Sequence, residues 1–516
     1  MLVKEPLLSP VFLSLYLVHN VFSADVNVEL TVRNAQVAPN DVECSSVIVN
    51  GQHPAPLITG NKGDRFLLSV MDNLTDPTMD SCNFQQHWND FFQAHASEMD
   101  GPAFVNQCPI VPEHSFLYNF TVPDQAGTFW YHSHLLLQYS DGLRGPFVVY
   151  DPQDPLADLY DVDDESTVAP ALFPNHGNQT PIPDTTLING KGRASTGGDL
   201  AVVRAQPGKH HRFRLVAASC FPAYTFSIAG HNITIVEADG VEHEQFTVDS
   251  LTIHAAQRYS FIVTMDQSVF NYWIRAIPNF PENSNNNGGI NSAILRYDGA
   301  PDQEPTAAPK ANPVQMNEAD LHPGIPEPGA ADVNLRMQIG QNSDEFVVNG
   351  VTFRPPTVPV LLQILSGTTD ARSLLPAGSV YSIPASKAIE VVITHRNIQH
   401  PIHLHGHTFD VIRVAGSKEY KFKNPVRRDV VAIGEGGDEV TFRFFADNPG
   451  PWFMHCHIDW HLEGGLAIVF AEDVPDIPPK CQYLITQAYT LFDPEDLLNL
   501  CPLFNELNPD AHLGVD

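Results

Sequence analysis

Apolar and polar positions alternate with period two, or run together in short apolar blocks, along most of the chain. The segments VNVELTVRNAQV, SSVIVNG, DRFLLSVMDNL, FTVDSLTIHAA and RYSFIVTMD are rich in β-branched and aromatic residues. Each stops at a cluster of Pro, Gly, Asn or Asp. Successive side chains of a strand point to opposite faces, so such runs predict half-buried or fully buried strands. No long stripe at helical spacing occurs, and the best helical candidate is PEDLLNLCPLFNEL near the C-terminus. Strands at this spacing predict sandwiches or barrels, hence an all-β chain.

The pattern also repeats. A strand, a turn, an aromatic segment and a second strand occur three times: GTFWYHSHL before GLRGPFVVY, NYWIRA before GGINSAILRY, and GPWFMHCHID before GGLAIVFAE. Each follows an earlier strand of similar cast, GDRFLLSV, HRFRLVAA or AIEVVITH. Three repeats predict three similar β-sandwich domains, which also suits a length of 516 residues. The expected organisation is a leader over 1–24 and domains over 25–153, 154–312 and 313–516. The DPQDP turn lies at the first junction, and the Pro-rich stretch Ala300–Pro328 reads as a linker around the second.

Charge narrows the function classes. The net charge is −32 although only 17% of residues are charged, because Lys and Arg are scarce, 28 against 60 Asp and Glu. That balance argues against nucleic-acid and anionic-membrane partners. Lys4, an apolar run and small residues at Ser23 and Ala24 read as a secretory leader, and no other run is long enough to span a bilayer. Sequons at Asn73, Asn119, Asn178 and Asn232 fit glycosylation on that route. The expectation is a secreted, extracellular protein.

Candidate chemistry sits in four histidine-bearing segments. His455, Cys456 and His457 stand together, with His461 four residues on; His400, His403, His405 and His407 stand in HPIHLHGH; His132 and His134 in YHSHL; and His87 before Trp88. A thiolate among imidazoles suits copper. In an extended strand Cys456 points away from both flanking histidines, so one metal can sit on its side and others on theirs. Two segments lie early in the chain and two late, so the cluster is expected where the first and last parts of the fold meet.

Together these segments resemble the four copper-binding motifs of the multicopper oxidases, and the flanking text resembles the fungal laccases. DGPAFVNQCP (Asp100–Pro109), DQAGTFWYHSHL (Asp124–Leu135), DGLRGPFVVYDP (Asp141–Pro152), RPPTVPVLLQILSG (Arg354–Gly367), RRDVV (Arg427–Val431) and DNPGPWF (Asp447–Phe453) carry the resemblance, which covers nearly everything after about residue 25. It implies three cupredoxin-like Greek-key β-sandwich or barrel domains, with copper ligands in the first and third. Four copper ions are implied as cofactors. The blue site would be His400, Cys456 and His461, with the apolar Leu466 at the axial position. The single type 2 ion would take His87 and His403. One type 3 ion would take His134, His405 and His455; the other would take His132, His457 and a histidine of an H-W-H-G motif.

The chain departs from that motif. It reads His87-Trp88-Asn89-Asp90, so an amide, a weak donor to copper, stands at the ligand position; nothing in the spacing of His95 recommends it as a substitute. Asp100 and Asp459 match carboxylates that the family keeps near the cluster, where dioxygen reduction needs protons. In the donor pocket Phe221 stands where laccases carry an acid, while His461, Asn279 and Phe280 match the rest of the wall. Of seven cysteines, the resemblance pairs Cys108 with Cys501. The family's second bridge would join Cys220 to position 140, which is Ser140, so Cys220 is left over with Cys44, Cys82 and Cys481.

The implied activity is that of a laccase, associated with lignin degradation. Phenols or aromatic amines would lose single electrons at the exposed edge of His461, Cys456 would pass them through His455 and His457, and O2 would be reduced to water. Two alternatives stand beside it. One is a catalytically impaired copper-binding relative, on the strength of Asn89. The other is a ferroxidase, which would want carboxylates at the blue site, where only Glu463 is evident.

Overall fold

The computed structural model describes residues 24–75, 86–89, 91–94, 96–163, 185–280, 285–306, 310, 312–325, 329–343, 345–395, 399–477 and 494–506, with the backbone alone at 86–89 and 494–496. The expected leader up to Ser23, the sequon at Asn178, and Cys82, Asp90, His95 and Cys481 lie outside these residues.

Six sheets hold the strands, two for each repeat. The first domain pairs Asp25–Val37 with Cys44–Val49 and Arg65–Asn73, and faces a second sheet built on Gly127–Ser133 and Arg144–Tyr150. The wiring recurs in all three domains. The last strand of each lies parallel to an early one: Arg144–Tyr150 with Ile58–Asn61, Ser292–Tyr297 with Val202–Ala205, and Ala467–Glu472 with Val380–Ile383. The aromatic segment before it pairs antiparallel each time. The repeated sequence unit is thus one repeated piece of sheet, and the three domains are cupredoxin-like sandwiches rather than closed barrels.

Every residue of Gly127–Ser133 and of Gly450–Cys456 is buried. Strands covered on both faces lose the polar–apolar alternation, which is why these two read as near-continuous blocks. The first domain keeps its own core, to which Leu497, Leu500 and Phe504 of the helix Pro494–Asn505 add. The Cys108–Cys501 disulfide fastens that helix down across a separation of 393 residues. Cys44 and Cys220 are free thiols.

Two expectations change. FTVDSLTIHAA is two strands, Val241–Val248 and Ser250–Ile253, in opposite sheets of the second domain. Asp249 marks the crossing: its carboxylate accepts from Val314 N at 2.7 Å and from Lys310 Nζ at 2.5 Å. The described part of the Pro-rich stretch, in turn, is a strap packed on the fold. Leu321 is fully buried, Met316 N bonds Ser250 O at 2.8 Å, and Glu318 forms an ion pair with Arg428. Proline content marks where regular structure stops, not where contact stops.

Candidate metal centre

The third domain sorts the donors by strand parity. Strand His400–Leu404 lies antiparallel to Gly450–Cys456 with Ile402 opposite Cys456 and His403 opposite His455. Residues directly opposite share a face. Cys456 therefore faces the sandwich interior with His400, while His403 and His455 face the other way, toward the first domain. There His132 and His134 arrive on Gly127–Ser133. The backbone of Gln86–Asn89 pairs with that strand, His87 opposite His132 and Asn89 opposite Trp130.

Two groups of donors converge. In the first, His400 Nδ1 and His461 Nδ1 are 3.0 Å apart, and each is 3.5 Å from Cys456 Sγ. In the second, His455 Nε2 is 3.2 Å from His134 Nε2 and 3.0 Å from His405 Nε2. All six side chains are buried. Within the second group the other ring nitrogen is engaged: His455 Nδ1 donates to Cys456 O at 2.9 Å and His405 Nδ1 to Asp100 Oδ2 at 3.0 Å. Protons assigned to Nδ1 leave the Nε2 lone pairs of His405 and His455 facing one another, an arrangement that a shared cation satisfies and a hydrogen bond between them does not.

His132 and His403 are set the same way, their Nδ1 atoms bonded to Ser133 O and to Asp429 O, the latter at 3.0 Å. Tyr139 donates to His457 O at 2.9 Å and lies 3.3 Å from its Nδ1. The His132 and His457 rings are 5.1 Å apart, and those of His403 and His405 4.6 Å. First- and third-domain histidines therefore form one continuous group.

Electrostatics favours metal donors. Burial is the main cause that pushes His400 down to about 2 and His134 and His461 to about 4. It holds His132, His403, His455 and His457 far below the usual range, helped by neighbouring imidazoles. Neutral imidazole is the ligating form. Burial also pushes the Cys456 thiol up, so its thiolate needs a cation against it. Two borderline nitrogens and a soft sulfur in a dry core fit copper.

Around the first group, Leu466 is buried and contributes no donor atom; its carbonyl accepts from Cys456 N at 3.1 Å. The Phe346 ring packs 4.5 Å from His461. The sequence reading expects an exposed edge on His461, but the residue keeps only 3% exposure, because Phe346 and its own short helix, Asp459–Glu463, cover it. Phe221 contacts Phe280 at 5.6 Å and Trp460 at 5.5 Å. Asn279 is exposed and accepts from Thr225 Oγ1 at 2.8 Å.

Asp100 is fully buried, and burial raises its carboxyl well above the usual range. Asp459 is raised likewise, against a hydrogen bond from Ser140 Oγ. That bond ties Ser140, where the family's second bridge would start, to the helix bearing His461. The Cys220 thiol is pushed up to about 12, chiefly by burial. His407, the last histidine of its motif, lies 3.0 Å from Glu472 Oε2 and belongs to neither donor group. It lines a cavity of about 590 Å³ with Phe92, Asp447 and Asn448, away from His461. Sequence reading missed Phe346, Tyr139 and Asp429; only Asp429 stood in a recognised string, RRDVV.

The multicopper oxidase family matches residues 31–154, 153–300 and 353–476. The chain is 53% identical to a laccase of Phlebia radiata over 93% of this chain and 94% of that one. It is also 53% identical to laccase-1 of Trametes villosa, with the same coverages. Among solved structures, the laccase from Botrytis aclada superimposes with a TM-score of 0.81 at 28% identity, covering 94% of this chain and 93% of that one. The copper-fitting donor groups, the three-domain fold and these relatives agree: the chain belongs to the multicopper oxidases, among the fungal laccases.

Proposed function

We propose that this protein oxidises phenols or aromatic amines by single electrons and reduces O2 to water. His400, Cys456 and His461 hold the blue copper. His87 and His403 hold the type 2 ion; His134, His405 and His455 hold one type 3 ion; and His132 and His457 contribute to the other. Copper bound there supplies the one-electron chemistry and the reduction of dioxygen. The observation that carries the reading is the pair of converging donor groups, joined by the peptide bond between His455 and Cys456.

The protein's own part is placement. Phe221, Phe280 and Trp460 offer ring faces to a donor beside His461. With Phe221 in place of an acid, the pocket selects by shape and stacking rather than by accepting a phenolic proton. Asp100 and Asp459 are carboxyls whose hold on a proton burial strengthens, which suits them to supplying protons. The exposed Asn73 and Asn232 and the half-buried Asn119 suit glycosylation. The leader-like N-terminus supports an extracellular setting; no helix among the described residues is long and apolar enough to cross a membrane.

Asn89 supports a second reading, a copper protein whose trinuclear cluster is incomplete. Copper content of the purified protein, measured with O2 uptake on a phenol, separates the two. Four ions per chain and sustained uptake are expected; a blue protein with fewer ions and no uptake would establish the second reading. A ferroxidase is disfavoured because, among the described residues of the helix bearing His461, Glu463 is the one exposed carboxylate and Asp459 is buried.

A further inference from the structure

Among the described residues the second domain adds nothing to either donor group, yet its side chains reach the residues around the cluster. Arg258 stands at the start of strand Arg258–Thr264 and is completely buried. Its Nη1 and Nη2 donate to Asp429 Oδ1 and Oδ2 at 2.7 and 2.8 Å, a bidentate fork across the boundary between second and third domains. Its Nε donates to Thr128 O of the first domain at 3.1 Å, and its own N–H to Asp239 Oδ1 at 2.8 Å. One guanidinium thus touches all three domains.

Asp429 is more than an anchor for that charge. Its carbonyl oxygen accepts from His403 Nδ1 at 3.0 Å and from Leu404 N at 3.2 Å. The same residue therefore takes the fork on its side chain and sets the ring of His403 with its backbone. Next to it, Gln257 Nε2 donates to Val430 O at 3.1 Å, so two consecutive second-domain residues grip two consecutive third-domain residues. A bidentate fork fixes a carboxylate in plane as well as in place.

We infer that Arg258 is a positioning residue for the type 2 copper: by clamping Asp429 it holds the carbonyl that orients His403 and directs its Nε2 toward the junction. The inference rests on reading His403 as a ligand of that ion. Loss of an outer partner of a ligating histidine costs about 10–100-fold in metal affinity. The blue site is spared, because no contact among the described residues joins His400, Cys456 or His461 to Arg258 or Asp429, whereas the Arg258 charge acts on His403 and His457.

The test uses the full-length copper-loaded protein and the variants Arg258→Gln, Arg258→Lys and Asp429→Asn. Asp429→Asn keeps the shape and the backbone carbonyl should Arg258→Gln fail to fold. Arg428→Lys is the control for loss of a neighbouring buried ion pair: it weakens the contact with Asp239, which also accepts from Arg258 N, but leaves both partners of the fork in place. The readouts are the type 2 signal in electron paramagnetic resonance during titration with a chelator, the blue absorption, and the melting temperature. Wild type must first show a type 2 signal; if it has none, the reading of His403 fails and the inference with it. Given that signal, Arg258→Gln and Asp429→Asn should lose it at about 10–100-fold lower chelator, with Arg258→Lys between them and wild type and the blue band unchanged. Type 2 affinity equal to wild type in the fork variants, or an equal loss in Arg428→Lys, would overturn the positioning role while leaving the copper assignment intact.

Discussion

Removing the Cys108–Cys501 bridge by the double substitution Cys108→Ser, Cys501→Ser tests how the first domain and the C-terminal helix depend on each other. With the two cysteines 393 positions apart, the loop-entropy relation gives about 6 kcal/mol if the whole chain unfolds as one unit. A second route is open, because the helix Pro494–Asn505 can come away alone. What holds it is then burial of Leu497, Leu500 and Phe504 and the edge contact of Phe504 with Phe104 at 5.6 Å. Three such side chains are worth about 5–9 kcal/mol, opposed by the entropy of ordering the segment. The first domain's core is otherwise made mainly by its own residues, with Leu362 added, so the local route should win. The expected outcome is a loss of about 2–5 kcal/mol, seen first as lost hydrogen-exchange protection over 494–505, with the blue absorption intact. Unchanged protection of those amides, together with a shift below about 1 kcal/mol, would show that packing alone docks the helix and refute the reasoning.

Cys456→Ser should abolish the intense blue absorption, since a hydroxyl gives no thiolate charge transfer; a blue variant protein would remove this cysteine from the site. Asn89→His with Asp90→Gly should speed reoxidation by O2 while anaerobic bleaching of the blue band by a phenol stays the same, because the blue site draws every ligand from the third domain. Equal reoxidation in the unmodified protein would show that Asn89 is no handicap. Burial raises Asp72 from 3.8 to about 8, against a hydrogen bond from Leu74 N. A raised folded-state value favours the protonated form, so this stability is full below pH 3.8 and is lost as pH rises through about 8, at most about 6 kcal/mol. Asp72→Asn should flatten that part of the pH–stability curve in urea titrations, and an unchanged curve would count against a buried, protonated Asp72.

The strands and the repeat were legible because period-two patterning and turn residues are local signals. The donors were legible because histidines and a cysteine in alternating text have few other uses. What stayed hidden is what depends on contact across domains. Arg258 looks like any strand residue until Asp429 is seen against it, and the strap around Glu318 reads as a linker because burial of Leu321 leaves no local mark. Exposure of His461 was misjudged for the same reason: Phe346, which covers it, lies 115 positions earlier in the chain (461 − 346).

The pairing of Ile402 with Cys456 and of His403 with His455 makes strand register and metal placement one and the same specification. A slip by a single residue would turn the thiol out toward the first domain and carry an imidazole into the apolar interior. Anyone redesigning this scaffold therefore has unequal freedom along it. The exposed loop at Lys418–Glu419 can be lengthened, or fused to another protein, without changing which atom meets which ion. One inserted residue between His400 and Leu404, or between Gly450 and Cys456, would change every such meeting at once. Insertional scanning with copper retention as the readout should divide the third domain into these two kinds of territory.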